Sequence, residues 1–252
     1  MTTTRPPRPL IVAHRGAATL APEHTIPAYE AAVAARVDAL WLDIQESADE
    51  QIVVVHDTRL ERTTSGRGPV RARTVRELKR LDAGRWFGWR FRGQRIQTLS
   101  EVLERFRGRV EFVVALRAGS DVYPGIEERA LGLLHLYGIA DRTLVASHDH
   151  HALARCRALD GDVRLGAAVA GRLLTPGTLA PPGVLTALCL DAANALEPDV
   201  AQCREAGLEA YLGVIDDAVD ARRVAAWRPT ALVMRSGFDF QVGPDPILAF
   251  RA

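Results

Sequence analysis

The chain has 252 residues and a formal net charge of +1, with 48% hydrophobic and 25% charged residues. This composition is that of an ordinary globular protein and excludes a disordered or collagen-like chain. The near-zero net charge removes any global field that would recruit nucleic acid or a membrane surface, so an anion site has to be local. The length suits one large domain over residues 1–252, the size at which α/β barrels form a single unit.

The cysteines and the apolar runs bear on the cellular location. The three cysteines are odd in number and widely separated, unlike those of a disulfide framework or a zinc ribbon. The apolar run at residues 10–13 is too short for the core of a signal peptide, and no stretch approaches the roughly 18 apolar residues of a membrane span. We therefore expect a protein without a membrane span in the reducing cytoplasm.

Short apolar runs alternate along the chain with segments of helical period. Apart from one hairpin strand, the predicted strands cover residues 9–13, 40–44, 110–116, 142–147, 163–169, 185–190, 208–214 and 231–234. The predicted helices after the first third of the chain cover residues 99–106, 125–137, 150–159, 197–206 and 217–227. Alternation of this kind predicts a parallel sheet, and eight units in about 250 residues predict a TIM (β/α)8 barrel.

The alternation is interrupted after strand two. Residues 52–56 predict an extra strand that returns along strand two through a turn at Asp49 and Glu50. Residues 59–98 are rich in arginine, glycine and threonine, with one helix predicted near residues 74–82. We expect a small hairpin and loop insertion across one mouth of the barrel. Its aromatic residues are expected to anchor the loop rather than to bind bases: Trp86, Phe87, Trp89 and Phe91.

Polar residues follow the predicted strands at their carboxyl ends, where α/β barrels carry their reactive groups. His14 and His56 suit acid/base chemistry because imidazole titrates near neutrality. Arginine offers a planar fork that matches phosphate or carboxylate oxygens. The residues at these ends are His14, Arg15, Asp43, His56, Asp57, Arg117, Ser147, His148, Asp149, Asp191, Asp216, Asp217 and Arg235. The mixture predicts proton transfer on a small anionic molecule.

Several of these residues also have a purely structural interpretation. Asp43 could cap a loop or pair with Arg15. The run Ser147-His148-Asp149 has the composition of a catalytic triad, but neighbours on a strand point to opposite faces and cannot form one together. We therefore expect a strand end there, followed by a helix cap at Asp149.

The motifs between residues 10 and 100 resemble those of the glycerophosphodiester phosphodiesterases. The matching elements are Ala-His-Arg-Gly at 13–16, Ala-Pro-Glu-His-Thr-Ile-Pro-Ala-Tyr at 21–29, Val-Val-His-Asp at 54–57, Leu-Glu-Arg-Thr-Thr-Ser-Gly at 60–66 and Arg-Ile-Gln-Thr-Leu-Ser-Glu-Val-Leu at 95–103. His24 stands where the family has asparagine, and Gln97 where it usually has proline. The resemblance covers nearly the whole chain and implies a barrel in which His14 and His56 act as general acid and base and Arg15 grips the phosphate.

The resemblance also implies a divalent cation, calcium or magnesium, held by a Glu-x-Asp pair on strand two and a glutamate on strand three. In this sequence Trp41 and Ala115 replace the two glutamates, so that only Asp43 remains as a metal ligand. A hard cation needs several oxygen ligands, most of them charged. We therefore expect binding of Mg²⁺ or Ca²⁺ to be weak or absent, unless another carboxylate moves in. The carboxylates that could do so are Glu46, Asp149 and Asp191.

We favour the interpretation as a divergent phosphodiesterase with little or no metal dependence. His14 and His56 would form the acid-base pair that cleaves a small-molecule phosphodiester, by hydrolysis or by forming a cyclic phosphate. Arg117 and Arg235, together with Arg15, would bind the substrate and supply positive charge where the family holds its cation, because neutralising phosphate is chiefly an electrostatic task.

Trp41 would line the substrate site with an apolar wall and favour a substrate with a hydrophobic or aromatic part. The loss of carboxylates at Trp41 and Ala115 leaves two alternatives open. One is a catalytically inactive family member that acts as a binding protein, and the other is a barrel repurposed for a non-phosphate substrate. Leu212 and Arg235 stand where the family often has tryptophan and aspartate, so substrate recognition does not carry over at those positions.

Overall fold

A computed structural model describes residues 8–175, 178–179 and 183–237, and the structural statements below concern those residues. Their strands are β1 Leu10–His14, β2 Ala39–Glu46, β3 Ile52–Val54, β4 Gln97–Thr98, β5 Glu111–Leu116, β6 Thr143–Ser147, β7 Arg164–Val169, β8 Ala187–Asp191, β9 Glu209–Ile215 and β10 Ala231–Met234. Their α-helices are α1 Ile26–Ala34, α2 Val75–Leu78, α3 Leu99–Phe106, α4 Ile126–Leu136, α5 His150–Leu159, α6 Glu197–Glu205 and α7 Ala218–Ala225.

Eight parallel strands close into a barrel. Their order is β1-β10-β9-β8-β7-β6-β5-β2, and β2 pairs in parallel with β1 to complete the ring. The predicted TIM-like barrel is therefore confirmed. None of the helices in the described part of the chain is long and apolar enough to cross a bilayer.

The alternation of side chains along each strand separates two apolar layers. On β2, Leu40 and Leu42 pack in the larger layer between the strands and the helices. Trp41, on the opposite face, packs inside the barrel with Val113 and Tyr211. Residue 43 lies two positions after residue 41 on the same strand, so its side chain also points into the barrel, near the carboxyl end of β2.

The predicted hairpin and insertion after β2 are also confirmed. β3 runs antiparallel to β2, and β4 runs antiparallel to β3, so these two strands extend the sheet outside the ring. The insertion buries a small apolar cluster of its own: Val53, Val55, Leu60, Val70, Leu78, Ala83 and Ile96. This cluster explains how an arginine-rich segment holds a defined structure.

The prediction of a helix near residues 74–82 is wrong in the length of the helix, because α2 ends at Leu78. Thr74 and Glu77 form a capping box that begins the helix. The side chain of Asp82 then accepts hydrogen bonds from the backbone N–H groups of Gly84, Arg85 and Gly93, which fold the following residues into a loop.

The aromatic residues of the insertion have two different roles. Phe87 lies between Trp86 and Phe91, with ring centroids 5.6 Å and 5.4 Å away, so the expected anchoring of the loop is confirmed for these residues. The expectation is wrong for Trp89, whose side chain is 68% exposed.

Candidate active site

A cavity of about 390 Å³ opens at the carboxyl end of the barrel strands. All seven residues predicted for the site line it, namely His14, Arg15, Trp41, Asp43, His56, Arg117 and Arg235. Small and apolar residues from other strands form much of the rest of the wall: Ala115, Ala168, Cys189, Tyr211 and Val233. The sequence positions converge because parallel strands of a closed barrel present their carboxyl ends at one mouth.

A sharp turn directs the first two of these side chains into the cavity. His14 is the last residue of β1, and Arg15 and Gly16 both adopt left-handed backbone conformations, with φ of 63° and 82°. A Cβ atom at Gly16 would lie 2.8 Å from the carbonyl carbon of Ala28, so the turn requires glycine there. A left-handed conformation at an arginine costs energy and is typical of functional loops.

His14 is buried and neutral at ordinary pH. Burial lowers its pKa to about 3, and the positive charge of Arg15 adds to this effect against the opposing influence of Asp43. Its Nδ1 atom is buried without a hydrogen-bond partner among the described residues. The ring contacts the edge of Trp41, with centroids 6.0 Å apart. The ring is therefore neutral and has a nitrogen free to accept a proton, but its low pKa makes it a weak base until an anion binds beside it.

Asp43 is enclosed by three protein groups. Its Oδ1 atom accepts a hydrogen bond of 3.1 Å from the indole N–H of Trp41. Its Oδ2 atom lies 3.0 Å from Nε2 of His24 and 3.0 Å from Nε of Arg15, where the second contact is an ion pair without hydrogen-bond geometry. Burial alone would raise the pKa of Asp43, but the hydrogen bond from His24 and the charge of Arg15 hold that pKa well below its usual range.

The donor set does not fit a hard cation. Mg²⁺ and Ca²⁺ take about six or more oxygen ligands, several of them carboxylates. Both oxygens of Asp43 already face N–H groups, and the neighbouring positions on the same wall carry Trp41 and Ala115. Across the described residues, no three His, Cys, Asp or Glu side chains lie close enough together to hold a metal ion.

The other carboxylates that could have replaced the lost ligands have different partners. Glu46 forms an ion pair of 2.6 Å with Arg129. Asp149 caps α5, as predicted, and accepts hydrogen bonds from the backbone of the first helical turn. Asp191 lines the cavity, but its Oδ2 atom accepts a hydrogen bond of 2.7 Å from the Asn194 amide.

His56 lies beside a carboxylate, unlike His14. Its Nδ1 atom is 2.7 Å from Oδ1 of Asp57, and Asp57 is itself held by two hydrogen bonds from Arg62. The pKa of His56 is lowered overall, because the effect of burial exceeds the raising effects of Asp43 and of the hydrogen bond to Asp57. With Nδ1–H donating to Asp57, the Nε2 atom is left for the cavity, and the carboxylate stabilises the protonated ring.

Gln45 holds the chain around His56 in place. Its side chain is completely buried, and the Nε2 group lies 2.9 Å, 3.0 Å and 2.9 Å from the carbonyl oxygens of Val55, His56 and Asp57. Its Oε1 atom accepts a hydrogen bond of 2.8 Å from the hydroxyl of Tyr123. Gln45 does not line the cavity, so its role is to position the loop that carries His56.

The arginines of the cavity differ in how far they are neutralised. Arg15 contacts Glu23 and Asp43, and Arg235 forms an exposed ion pair of 3.2 Å with Asp216. Arg117 has no carboxylate partner among the described residues, and its Nε atom is buried without a hydrogen bond. A buried guanidinium N–H without a partner is costly, which makes the wall at Arg117 complementary to a bound anion.

Sequence reasoning missed several residues of the site. His24 was noted only as a departure from the family pattern, yet its Nδ1 atom lies 2.9 Å from the Tyr29 hydroxyl and its Nε2 atom faces Asp43. Tyr211 also lines the cavity, as does His148, which was expected at this strand end but given no role in the chemistry. Tyr211 could have been found, because its position on β9 directs its side chain into the barrel. The sequence around Gln45 contains no pattern that indicates its role.

The expectation that Ser147 ends a strand and does not belong to a catalytic triad is confirmed. β6 ends at this residue, and its hydroxyl donates a hydrogen bond to the backbone carbonyl oxygen of Leu116.

Comparisons with known proteins identify the family of the chain. The model of the glycerophosphoryl diester phosphodiesterase family matches residues 14–227. A glycerophosphodiester phosphodiesterase of Caldanaerobacter subterraneus subsp. tengcongensis is 31% identical over 239 residues, which cover 94% of each chain. A putative glycerophosphodiester phosphodiesterase of Bacillus subtilis is 42% identical over 149 residues, covering 59% of this chain and 61% of the relative.

Solved structures show the same fold. A glycerophosphodiester phosphodiesterase from Agrobacterium tumefaciens superposes with a TM-score of 0.80 at 27% identity and covers 92% of this chain and 97% of its own. An Oleispira antarctica phosphodiesterase in complex with the product sn-glycerol-3-phosphate has a TM-score of 0.85 at 24% identity, covering 90% of this chain and 93% of its own. The chain belongs to the glycerophosphoryl diester phosphodiesterase family.

Proposed function

We propose that this protein cleaves a phosphodiester with His14 as general base and His56 as general acid, with little or no dependence on a metal. The observation that carries the proposal is the unequal environment of the two histidines. His14 is buried beside Arg15 with a pKa of about 3, so it is neutral, and its free Nδ1 atom becomes an effective base once the charge of a bound phosphate raises that pKa. His56 has Asp57 at 2.7 Å, a partner that opposes the lowering of the His56 pKa by burial and favours the protonated form that a general acid needs.

The proton balance of the reaction follows from these roles. A water molecule, or a hydroxyl group of the substrate itself, attacks phosphorus as His14 removes its proton. The bond from phosphorus to the leaving oxygen breaks as His56 donates its proton to that oxygen. Attack by water gives a phosphomonoester, and attack by an internal hydroxyl gives a cyclic phosphate. A bound phosphate anion would raise the pKa of both histidines by its charge.

Arginine side chains replace the electrostatic contribution that a cation would make. Arg15, Arg117 and Arg235 line one cavity with the two histidines, and phosphoryl transfer depends mainly on neutralising the non-bridging oxygens. Asp43 then acts as a counter-ion that orients Arg15 and not as a metal ligand. Substrate binding is expected to depend most on Arg117, whose guanidinium has no carboxylate partner among the described residues.

The proposed substrate class is a glycerophosphodiester with an apolar substituent. The relatives from Caldanaerobacter and Bacillus are named glycerophosphodiester phosphodiesterases, and the Oleispira structure is described with sn-glycerol-3-phosphate as product. The wall formed by Trp41, Ala115 and Tyr211 favours a hydrophobic or aromatic alcohol on the other side of the phosphate. The proposed location is the reducing cytoplasm, supported by three cysteines that are all unpaired and buried.

The test is turnover of a panel of glycerophosphodiesters that differ in the size of the apolar alcohol, followed by ³¹P NMR. The product signal distinguishes a monoester from a cyclic phosphate. His14→Ala and His56→Ala should each lower turnover by roughly 10² to 10⁴-fold while the circular dichroism spectrum stays unchanged. Full activity in both variants, or no turnover of any diester by the parent chain, would refute the proposal.

Binding without turnover is the second candidate function, and the replacement of carboxylates by Trp41 and Ala115 is the observation that favours it. In that case the diesters would raise the melting temperature of the protein through binding to the folded state, with no product formed. The Arg117→Gln variant would lose this shift, which separates binding at the cavity from unspecific effects.

A further inference from the structure

The insertion carries a large excess of positive charge. Residues 59–98 contain twelve arginine or lysine residues and three acidic ones, a net charge of +9. The remaining residues therefore carry −8 of the overall +1. A charge asymmetry of this size within one chain is typical of proteins that bind an anionic surface or polymer through one region.

At one place on the surface, exposed apolar side chains lie among the arginines of the insertion. We call this surface the Arg/Trp platform. Its members are Leu20, Arg85, Trp86, Trp89, Arg90 and Arg92. The exposed fractions of Trp89, Leu20 and Trp86 are 68%, 58% and 41%. The guanidinium carbons of Arg85 and Arg92 lie 5.6 Å and 5.0 Å from the centre of the Trp89 ring. Large exposed aromatic groups among cations mark an interaction surface.

The positive charges of the platform are not neutralised locally. Arg85, Arg90 and Arg92 have no carboxylate partner among the described residues. The three acidic side chains of the insertion have other contacts. Asp82 accepts backbone N–H groups within the loop, Glu77 caps α2, and Glu61 forms an ion pair with Arg59. The platform thus presents an unpaired cationic and apolar surface to solvent.

The platform is connected to the loop that carries Arg15 of the active-site cavity. Arg90 donates a hydrogen bond of 3.2 Å to the carbonyl oxygen of Leu20. Leu20 belongs to the loop between β1 and α1, which begins with Arg15 at the cavity wall. Arg62 further ties the insertion to this loop through Glu23. The platform is therefore linked through this loop to one wall of the cavity.

We propose that the Arg/Trp platform docks this protein onto a bilayer that contains anionic phospholipid. Arginines near an anionic membrane attract the lipid phosphates, and tryptophan prefers the boundary between headgroups and acyl chains. The aliphatic side chain of Leu20 also suits an apolar boundary. Nucleic acid fits less well, because Arg85 and Arg92 lie over the Trp89 ring on which a base would have to stack.

The test is sedimentation of the full chain with vesicles of phosphatidylcholine, with and without phosphatidylglycerol. Binding is expected only to vesicles with phosphatidylglycerol, and it should weaken as salt screens the charges. Arg85→Gln and Arg92→Gln should each reduce the partition coefficient by roughly fivefold. Trp89→Ala should also reduce it, and lipids with brominated acyl chains should quench the fluorescence of the parent chain more than that of this variant.

Matched controls come from the opposite end of the barrel, where α4 leads into β6. Leu136 is 75% exposed, so Leu136→Ala removes an exposed apolar group of similar kind, and Arg142→Gln removes an exposed charge. Both variants should bind vesicles like the parent chain. Four results would overturn the proposal. The first three are absence of binding at low salt, equal binding to both vesicle types, and equal effects of the control and platform variants. The fourth is binding to single-stranded RNA from which vesicles do not displace the protein. The assay needs no turnover, so its outcome is independent of the proposed catalytic function.

Discussion

The Nε2 atom of His24 lies 3.0 Å from Oδ2 of Asp43, inside the wall of the candidate active site. With Nε2 donating to the carboxylate, Nδ1 accepts from the Tyr29 hydroxyl, so a neutral ring satisfies both neighbours. The indole N–H of Trp41 occupies the other oxygen of Asp43. The carboxylate that resembles a metal ligand in sequence is therefore part of an internal hydrogen-bonded cluster.

Restoring carboxylates should restore cation binding. Trp41→Glu combined with Ala115→Glu would place two acidic groups beside Asp43, because Ala115 is the register partner of Asp43 on β5 and Trp41 has the same parity on β2. Saturating Ca²⁺ or Mg²⁺ should raise the melting temperature of this variant by about 5 °C or more. The matched control is Trp41→Gln with Ala115→Gln. An equal rise in the parent chain or in the control would contradict the account.

Removing the carboxylate beside His56 should shift the pH dependence of catalysis. The hydrogen bond from His56 to Asp57 raises the pKa of His56, so Asp57→Asn should lower that pKa further. If His56 is the general acid, the alkaline limb of the kcat/KM profile moves to lower pH, because the protonated form is lost earlier. A shift of the acid limb instead would reverse the roles of the two histidines, and unchanged limbs would remove His56 from the chemistry.

His14 should make the stability of the protein fall in acid. Its pKa is about 3 in the folded chain against an ordinary value of 6.5, so below pH 6.5 the unfolded chain gains a proton that the folded chain does not. This one group should lower the free energy of unfolding by about 1.4 kcal/mol for each pH unit until pH reaches that folded value. Urea unfolding of the parent chain and of His14→Gln at several pH values measures the difference, and parallel curves would speak against a depressed pKa.

Gln45 should affect the rate more than the binding of substrate. Gln45→Leu removes the hydrogen bonds that hold the chain at residues 55–57 but leaves the cavity wall intact. We expect kcat to fall by roughly 10- to 100-fold through displacement of His56, with KM little changed. Tyr123→Phe, which loses only the bond to Oε1 of Gln45, should have a smaller effect of the same kind. A change confined to KM would show that Gln45 does not position His56.

Much of the architecture could be predicted because the physical rules involved are local. Alternating strand and helix patterns predicted the barrel, and the confirmed bounds of α5 and β10 reflect strong patterns at those places. The strand β4 has two residues, too few for any periodic signal. The helix α2 ends early because the carboxylate of Asp82 organises a loop, a contact that no periodicity indicates.

Some features of the candidate site could likewise be predicted from the sequence, and others could not. Positions 14, 43 and 117 could be predicted to meet because strand ends converge at one mouth of a barrel. The enclosure of Asp43 could not be predicted, since it depends on the loop that brings His24, at φ of 57°, back to β2. The contact of Gln45 with the His56 loop likewise depends on the register between β2 and β3.

The most direct test of the central claim is diester turnover by protein stripped with EDTA, measured with and without added Mg²⁺ or Ca²⁺. Asp43 is enclosed by Trp41, His24 and Arg15, and the described residues contain no cluster of three His, Cys, Asp or Glu side chains that could hold a metal ion. The stripped protein should therefore retain its rate, and added cations should change it less than about twofold. Loss of activity in EDTA that either cation restores would contradict the account.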